Sequence, residues 1–93
     1  FDTARIVQSA RQYGARVLCD AAQSVAHIPL DFHALGVDFM VFSAHKLGGP
    51  QGIGALICAE AVHNELEPVQ FGGGMVMGVG KDTSYRAMPH LLE

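Results

Sequence analysis

The sequence predicts an α/β fold, built mainly on parallel strands with flanking helices. Three observations point there. Short, nearly continuous apolar runs stand at residues 16–20 (RVLCD), 38–43 (DFMVFS) and 53–58 (IGALIC), as strands covered on both faces read. The first two runs are separated by the 17 residues 21–37, enough for the crossover that parallel pairing requires. A helical pattern precedes the first run, so helix and strand alternate.

Asp2 is placed to cap a helix in which Ile6, Val7, Ala10 and Tyr13 share a face, with Gly14 as its stop. The run 16–20 ends in Asp20, an acid at a strand terminus. In the connector 21–37, Pro29 rules out one long helix and leaves room for a short turn of helix after Asp31. Run 38–43 is followed by AHKLGGPQG, whose three glycines and one proline read as a loop. After run 53–58, residues 59–66 suit a short helix, ended by Pro68. From Gly72 onward, GGG, two methionines and a polar stretch read as loop, expected to lie on a partner surface.

The 93 residues make one small domain at most. Lys plus Arg is 6 against 9 for Asp plus Glu, a formal charge of −3. With no basic stripe to displace counterions, nucleic acid is not an expected partner. No apolar run approaches the roughly 18 residues of a membrane span, so no membrane partner is expected. Charged residues are 16% and apolar residues 49%, against about 25% charged in ordinary soluble domains. That imbalance, together with an opening on Phe1, leads us to expect a fragment of a larger body. Cys19 and Cys58 are separated by 38 residues inside apolar runs, which suits free thiols in a reducing cytoplasm rather than a disulfide framework.

The chemistry-bearing residues are Asp20, Gln23, Ser43, His45 and Lys46. In α/β sheets ligands gather at the carboxyl edge of the strands, and Asp20 ends one run while Ser43-Ala44-His45-Lys46 follows another. A lysine among small residues just past a strand is a candidate Schiff-base nucleophile. A carboxylate across the same crevice would keep a pyridine nitrogen protonated, and these are the two protein anchors of a pyridoxal phosphate (PLP) site. Ser43 and His45 could bond the phosphate, and Gln23 the ring hydroxyl. Each also has a plainer reading. Strand-end Asp residues usually cap turns, loop lysines are usually solvated, and a single His is more often a hydrogen-bonded residue than a ligand. Composition and spacing leave both readings open.

The segments VLCDAAQSVAHIPLDFHALGVDFMVFSAHKLGGPQGIGALI and FGGGMV resemble the class V aminotransferases, in particular the cysteine desulfurases. In that family a D-x-A-Q strand end and an S-x-H-K loop before a G-P-x-G-I-G turn form one PLP site. The resemblance runs from about Ile6 to Glu93. It implies part of the large PLP-binding domain of a fold-type I aminotransferase, with the whole chain one piece of that domain. It further implies Lys46 as the Schiff-base residue, Asp20 on the pyridine nitrogen and Gln23 on the ring oxygen. Ser43 and His45 would hold the phosphate, and the Ala22 methyl would pack on the ring. GGGMV and the closing MPHLLE are similar to the Suf-type branch. That similarity implies a homodimer in which residues 72–93 face the partner subunit. Two positions depart from the pattern: Gly48 replaces the usual aromatic, and Ala44 a common Gly.

The function so implied is removal of sulfur from L-cysteine, giving alanine and an enzyme persulfide for a sulfur-acceptor protein in iron–sulfur cluster assembly. The family's catalytic cysteine, substrate-carboxylate arginine and early phosphate loop match nothing here. Cys19 and Cys58 do not match the persulfide position, and the fragment alone is expected to be inactive. Another class V activity (aminotransferase, cysteine-sulfinate or selenocysteine lyase) and a non-catalytic interaction module are the alternatives. GVGKDT imitates a phosphate loop but has Met75 and Asp82 where the motif needs Gly and Ser/Thr. The five histidines have no metal-ligand spacing, so no metal is expected. Met75 and Met77 read as a soft contact surface or as packing.

Overall fold

The computed structural model describes residues 2–88. Phe1 and residues 89–93 lie outside the described residues, and with them His90 and all of MPHLLE beyond Met88. The chain forms two units, Phe1–Val62 and His63–Glu93.

In the first unit, helix α1 (Thr3–Gln12) begins where Asp2 accepts a hydrogen bond from the Arg5 N–H at 3.2 Å. It ends before Gly14, whose φ of +67° is a conformation most side chains resist. Strand β1 (Leu18–Asp20) follows, then α2 (Phe32–Leu35), capped by the Asp31 carboxylate on the Ala34 N–H at 3.0 Å. Strand β2 (Phe39–Ser43) leads into a 3-10 turn, Ala44–Leu47, and then β3 (Gly54–Cys58). The expected helix after β3 is instead a 3-10 stretch, Glu60–Glu65.

The sheet order is β1-β2-β3. β1 and β2 are parallel with Leu18 opposite Phe39 and Asp20 opposite Val41, as the 17-residue connector predicts. β3 runs antiparallel to β2, with Ser43 opposite Gly54. Within this segment the sheet therefore has one parallel and one antiparallel pair. Only ten residues separate β2 from β3, too few for a crossover and ample for a reversal.

Side chains alternate between faces. Cys19, Met40 and Phe42 lie on the face that packs with Val7 of α1, Ala21 and Val37; Val7, Ala21, Val37 and Met40 form the buried cluster. Burying side chains such as Val7 and Met40 contributes about 1.5–3 kcal/mol each. The opposite face carries Leu18, Phe39, Val41 and Leu56, and Leu18 and Leu56 are more than half exposed. Within this segment α1 and the connector cover one face.

α1 also differs from its expected packing. Ile6 and Tyr13 project within about 20° of each other, whereas Val7 sits about 100° away. The flank bearing Val7 is the buried one; Ile6 and Tyr13 are exposed and border an open apolar groove with Ala10 and Ala15.

In the second unit, the stretch expected to be a loop holds a 3-10 turn (Gly73–Met75) and an antiparallel hairpin of β4 (Val76–Val79) and β5 (Thr83–Tyr85). The two methionines divide. Met75 is buried, its carbonyl accepting the Arg86 N–H at 2.7 Å, whereas Met77 is exposed. The Phe71 and Tyr85 rings pack at 4.9 Å between centroids. Among the described residues, no helix is long and apolar enough to cross a membrane.

Candidate active site

The parallel register decides which sequence-predicted residues meet. Asp20 stands opposite Val41, so Asp20 and Ser43 project from the same face at the carboxyl edge of adjacent strands. Their Cα atoms are about 8 Å apart, from two residue rises and one strand spacing. The ladder continues one step past β1, where the Ala21 N–H donates to the Val41 carbonyl at 2.9 Å. Ala21, the residue between Asp20 and Ala22, is fully buried, so the acid emerges from an anchored backbone.

The Asp20 carboxylate turns back on its own chain: Oδ1 accepts the Ala22 N–H at 3.0 Å. That bond restrains the side chain and leaves Oδ2 available. Ala22 and Gln23 lie in the turn directly after β1, Ala22 half-buried and Gln23 exposed. Ser43 closes β2, half-buried. His45 and Lys46 sit in the 3-10 turn Ala44–Leu47, both exposed.

Backbone bonds hold that turn, the Gly48 N–H donating to the His45 carbonyl at 3.3 Å. The Ala44 N–H donates to the Ile53 carbonyl and the Gly49 N–H to the Ala44 carbonyl, each at 2.9 Å. Gly48 closes the turn with φ of +80°, a conformation that disfavours the aromatic usual in the family.

Asp38 matters to this arrangement, and the sequence reading gave it no role. Its Oδ2 accepts the Val17 N–H at 2.7 Å, and its own N–H donates to the Val17 carbonyl at 3.0 Å. A side chain thereby supplies the rung ahead of Leu18, tying the start of β1 to the start of β2. An acid immediately before an apolar run was the available signal.

PLP needs an amine, an acid facing its ring nitrogen, and donors for its phosphate. One sheet edge here offers the Lys46 amine, the available Asp20 Oδ2, and the Ser43 hydroxyl and His45 imidazole as donors. The donor set fits the group.

Comparison with known proteins accords with this chemistry. The family model described as aminotransferase class-V matches residues 1–93. The probable cysteine desulfurase 1 of Mycobacterium leprae is 47% identical over 90 residues, covering 96% of this chain and 15% of that protein. The cysteine desulfurase of Shigella sonnei is 45% identical over 92 residues, covering 97% of this chain and 23% of that protein. The chain thus spans less than a quarter of these relatives' length. Among solved structures, the Escherichia coli cysteine desulfurase CsdA superposes with a TM-score of 0.90 at 38% identity, over 99% of this chain and 23% of that one. The apo cysteine desulfurase of Thermococcus onnurineus gives 0.88 at 32% identity, over 99% and 24%. With the whole chain matched by one family model and its fold shared with solved cysteine desulfurases, the chain belongs to the aminotransferase class-V family, whose members depend on pyridoxal phosphate.

Proposed function

We propose that the protein carrying this segment is a PLP-dependent cysteine desulfurase of the Suf type. It would act as a cytoplasmic homodimer and take sulfur from L-cysteine, with alanine as the other product, for iron–sulfur cluster assembly. The observation that carries the reading is the parallel β1–β2 register, which puts Asp20 on one carboxyl edge with the Ser43–Lys46 segment. The named relatives support the substrate, and a solved neighbour described as SspA in complex with cysteine shares the fold at 36% identity and a TM-score of 0.68, over 78% of this chain and 21% of that one.

When bound, PLP supplies an electron sink that makes bonds at the amino-acid α-carbon labile. In this reading Lys46 Nζ would hold the cofactor covalently and would move a proton at the substrate α-carbon. Asp20 Oδ2 would face the ring nitrogen and keep it protonated, while the bond from the Ala22 N–H to Oδ1 restrains the carboxylate. Ala22 and Gln23 would hold the ring, Gln23 through its side-chain amide. The Ser43 hydroxyl and the His45 imidazole would donate to the phosphate. Cys19 and Cys58 lie in strands, half-buried and on opposite faces, which supports a sulfur-carrying thiol elsewhere in the longer protein. Residues 72–88 supply the exposed Phe71-flanked glycines and the exposed Met77 and Val79, a surface suited to a partner subunit.

The test is borohydride reduction of the PLP-loaded full-length protein, followed by peptide mapping and an assay for cysteine-dependent alanine. The expected result is a pyridoxyl adduct on Lys46 with alanine formed. A folded protein carrying the adduct elsewhere, or none, refutes the reading.

A further inference from the structure

The turn bearing Lys46 is held against one glycine at a separation that few side chains would tolerate. A Cβ placed on Gly49 would meet the Ala44 carbonyl oxygen at 3.0 Å, the Ala44 Cβ at 3.1 Å and the Ala44 carbonyl carbon at 3.3 Å. Gly49 is not among the glycines with positive φ, so its backbone would accept alanine and the constraint is contact alone. Two of the three contacted atoms are backbone, and the Ala44 peptide cannot simply recede. Its N–H is bonded at 2.9 Å to the carbonyl of Ile53, the residue just before the strand that pairs with β2. A methyl group at position 49 therefore pushes the start of the 3-10 turn at Ala44 by a few tenths of an ångström, and Lys46 lies two residues along it.

We propose that Gly49 is a positioning residue for Lys46: its close approach to the Ala44 peptide sets where the turn sits at the end of β2, and hence where the amine stands. The catalytic consequence rests on the proposed role of Lys46, whereas the positional claim does not. Ala44 takes part because its methyl makes one of the three contacts, so Ala44→Gly relieves part of what Gly49→Ala imposes. The pair should be energetically coupled, as residues in contact are.

The experiment uses the full-length protein as wild type, Gly49→Ala, the Ala44→Gly/Gly49→Ala double variant, and Gly14→Ala. The last is a remote control that strains a left-handed backbone, with open space around the added methyl. In cofactor-free protein, acetic anhydride labelling of Lys46 is read against Lys81, the only other lysine in this chain. Gly49→Ala should shift the Lys46-to-Lys81 ratio, the double variant should move it back toward wild type, and Gly14→Ala should leave it unchanged. In PLP-loaded protein, Gly49→Ala should slow attachment at Lys46 and lower kcat about tenfold, as displacements of a fraction of an ångström do at a reacting group. KM should change less. An unchanged labelling ratio in Gly49→Ala, or an equal shift in Gly14→Ala, overturns the proposal. Failure of the wild type to form the Lys46 adduct overturns the functional reading and leaves the labelling result to decide the positional one.

Discussion

Asp38 gives the most direct test of how the two anchors are brought together. Its carboxylate makes one short bond, 2.7 Å to the Val17 N–H, and one long one, 3.5 Å to Arg16. The Asp38 side chain is 21% exposed and that of Arg16 50%. A hydrogen bond to a charged acceptor contributes about 1.5–3 kcal/mol, whereas an ion pair this exposed contributes about 0–1 kcal/mol. The Val17 bond therefore dominates, and Asp38→Ala should cost about 2 kcal/mol. Most of that cost should appear locally, as opening of the first rung between β1 and β2. Hydrogen exchange at the Val17 amide reads that opening, and 2 kcal/mol corresponds to about thirtyfold faster exchange. Asp38→Asn keeps an oxygen acceptor and should lose less than half as much. Equal acceleration in the two variants would refute the reasoning, because it would mean that the charge, and not the bond to Val17, holds the rung.

Two further outcomes concern the proposed site. Asp20→Asn should retain a contact to the Ala22 N–H but lose the charge facing the ring nitrogen, weakening PLP affinity about tenfold or more, from loss of a charge-assisted bond; equilibrium titration followed by cofactor absorbance measures it, and unchanged affinity counts against the assignment. Deleting residues 72–74 should impair both dimer formation and activity in the full-length protein, measured by sedimentation and alanine release, and a fully active dimer would show that these glycines do not serve the partner.

Much of the first unit was legible because its signals are local. Asp2, Gly14 and Asp31 mark helix ends through their own side chains or backbone preferences, and the structure uses each of them so. The parallel pairing of β1 with β2 followed from connector length. Strand direction at β3 was less accessible: IGALIC reads the same in either sense, and only the ten-residue separation from β2 carried the answer. The β4–β5 hairpin was read as loop because glycine and polar residues outnumber apolar ones there, although VMGV and TSY flank a short GKD-containing turn. The burial of Val7 over Ile6 and Tyr13 depends on which flank of α1 meets Val37 and Met40, a tertiary fact. So does the approach of Gly49 to Ala44, since nothing in the letter G tells a tight contact from a flexible turn.

The two anchors belong to one contiguous β1–α2–β2 unit, 26 positions apart. Bringing Asp20 and Lys46 together therefore closes a single loop of modest length, and loop entropy grows slowly, by about 0.6 kcal/mol for each doubling. Insertions or deletions after Cys58 leave that loop untouched. Drift in the hairpin region could thus remodel subunit contacts or substrate preference without resetting the spacing of acid and amine. The unit is, in that sense, a portable chassis for the two proposed attachment points of the cofactor, and sequence divergence should accumulate around it rather than through it.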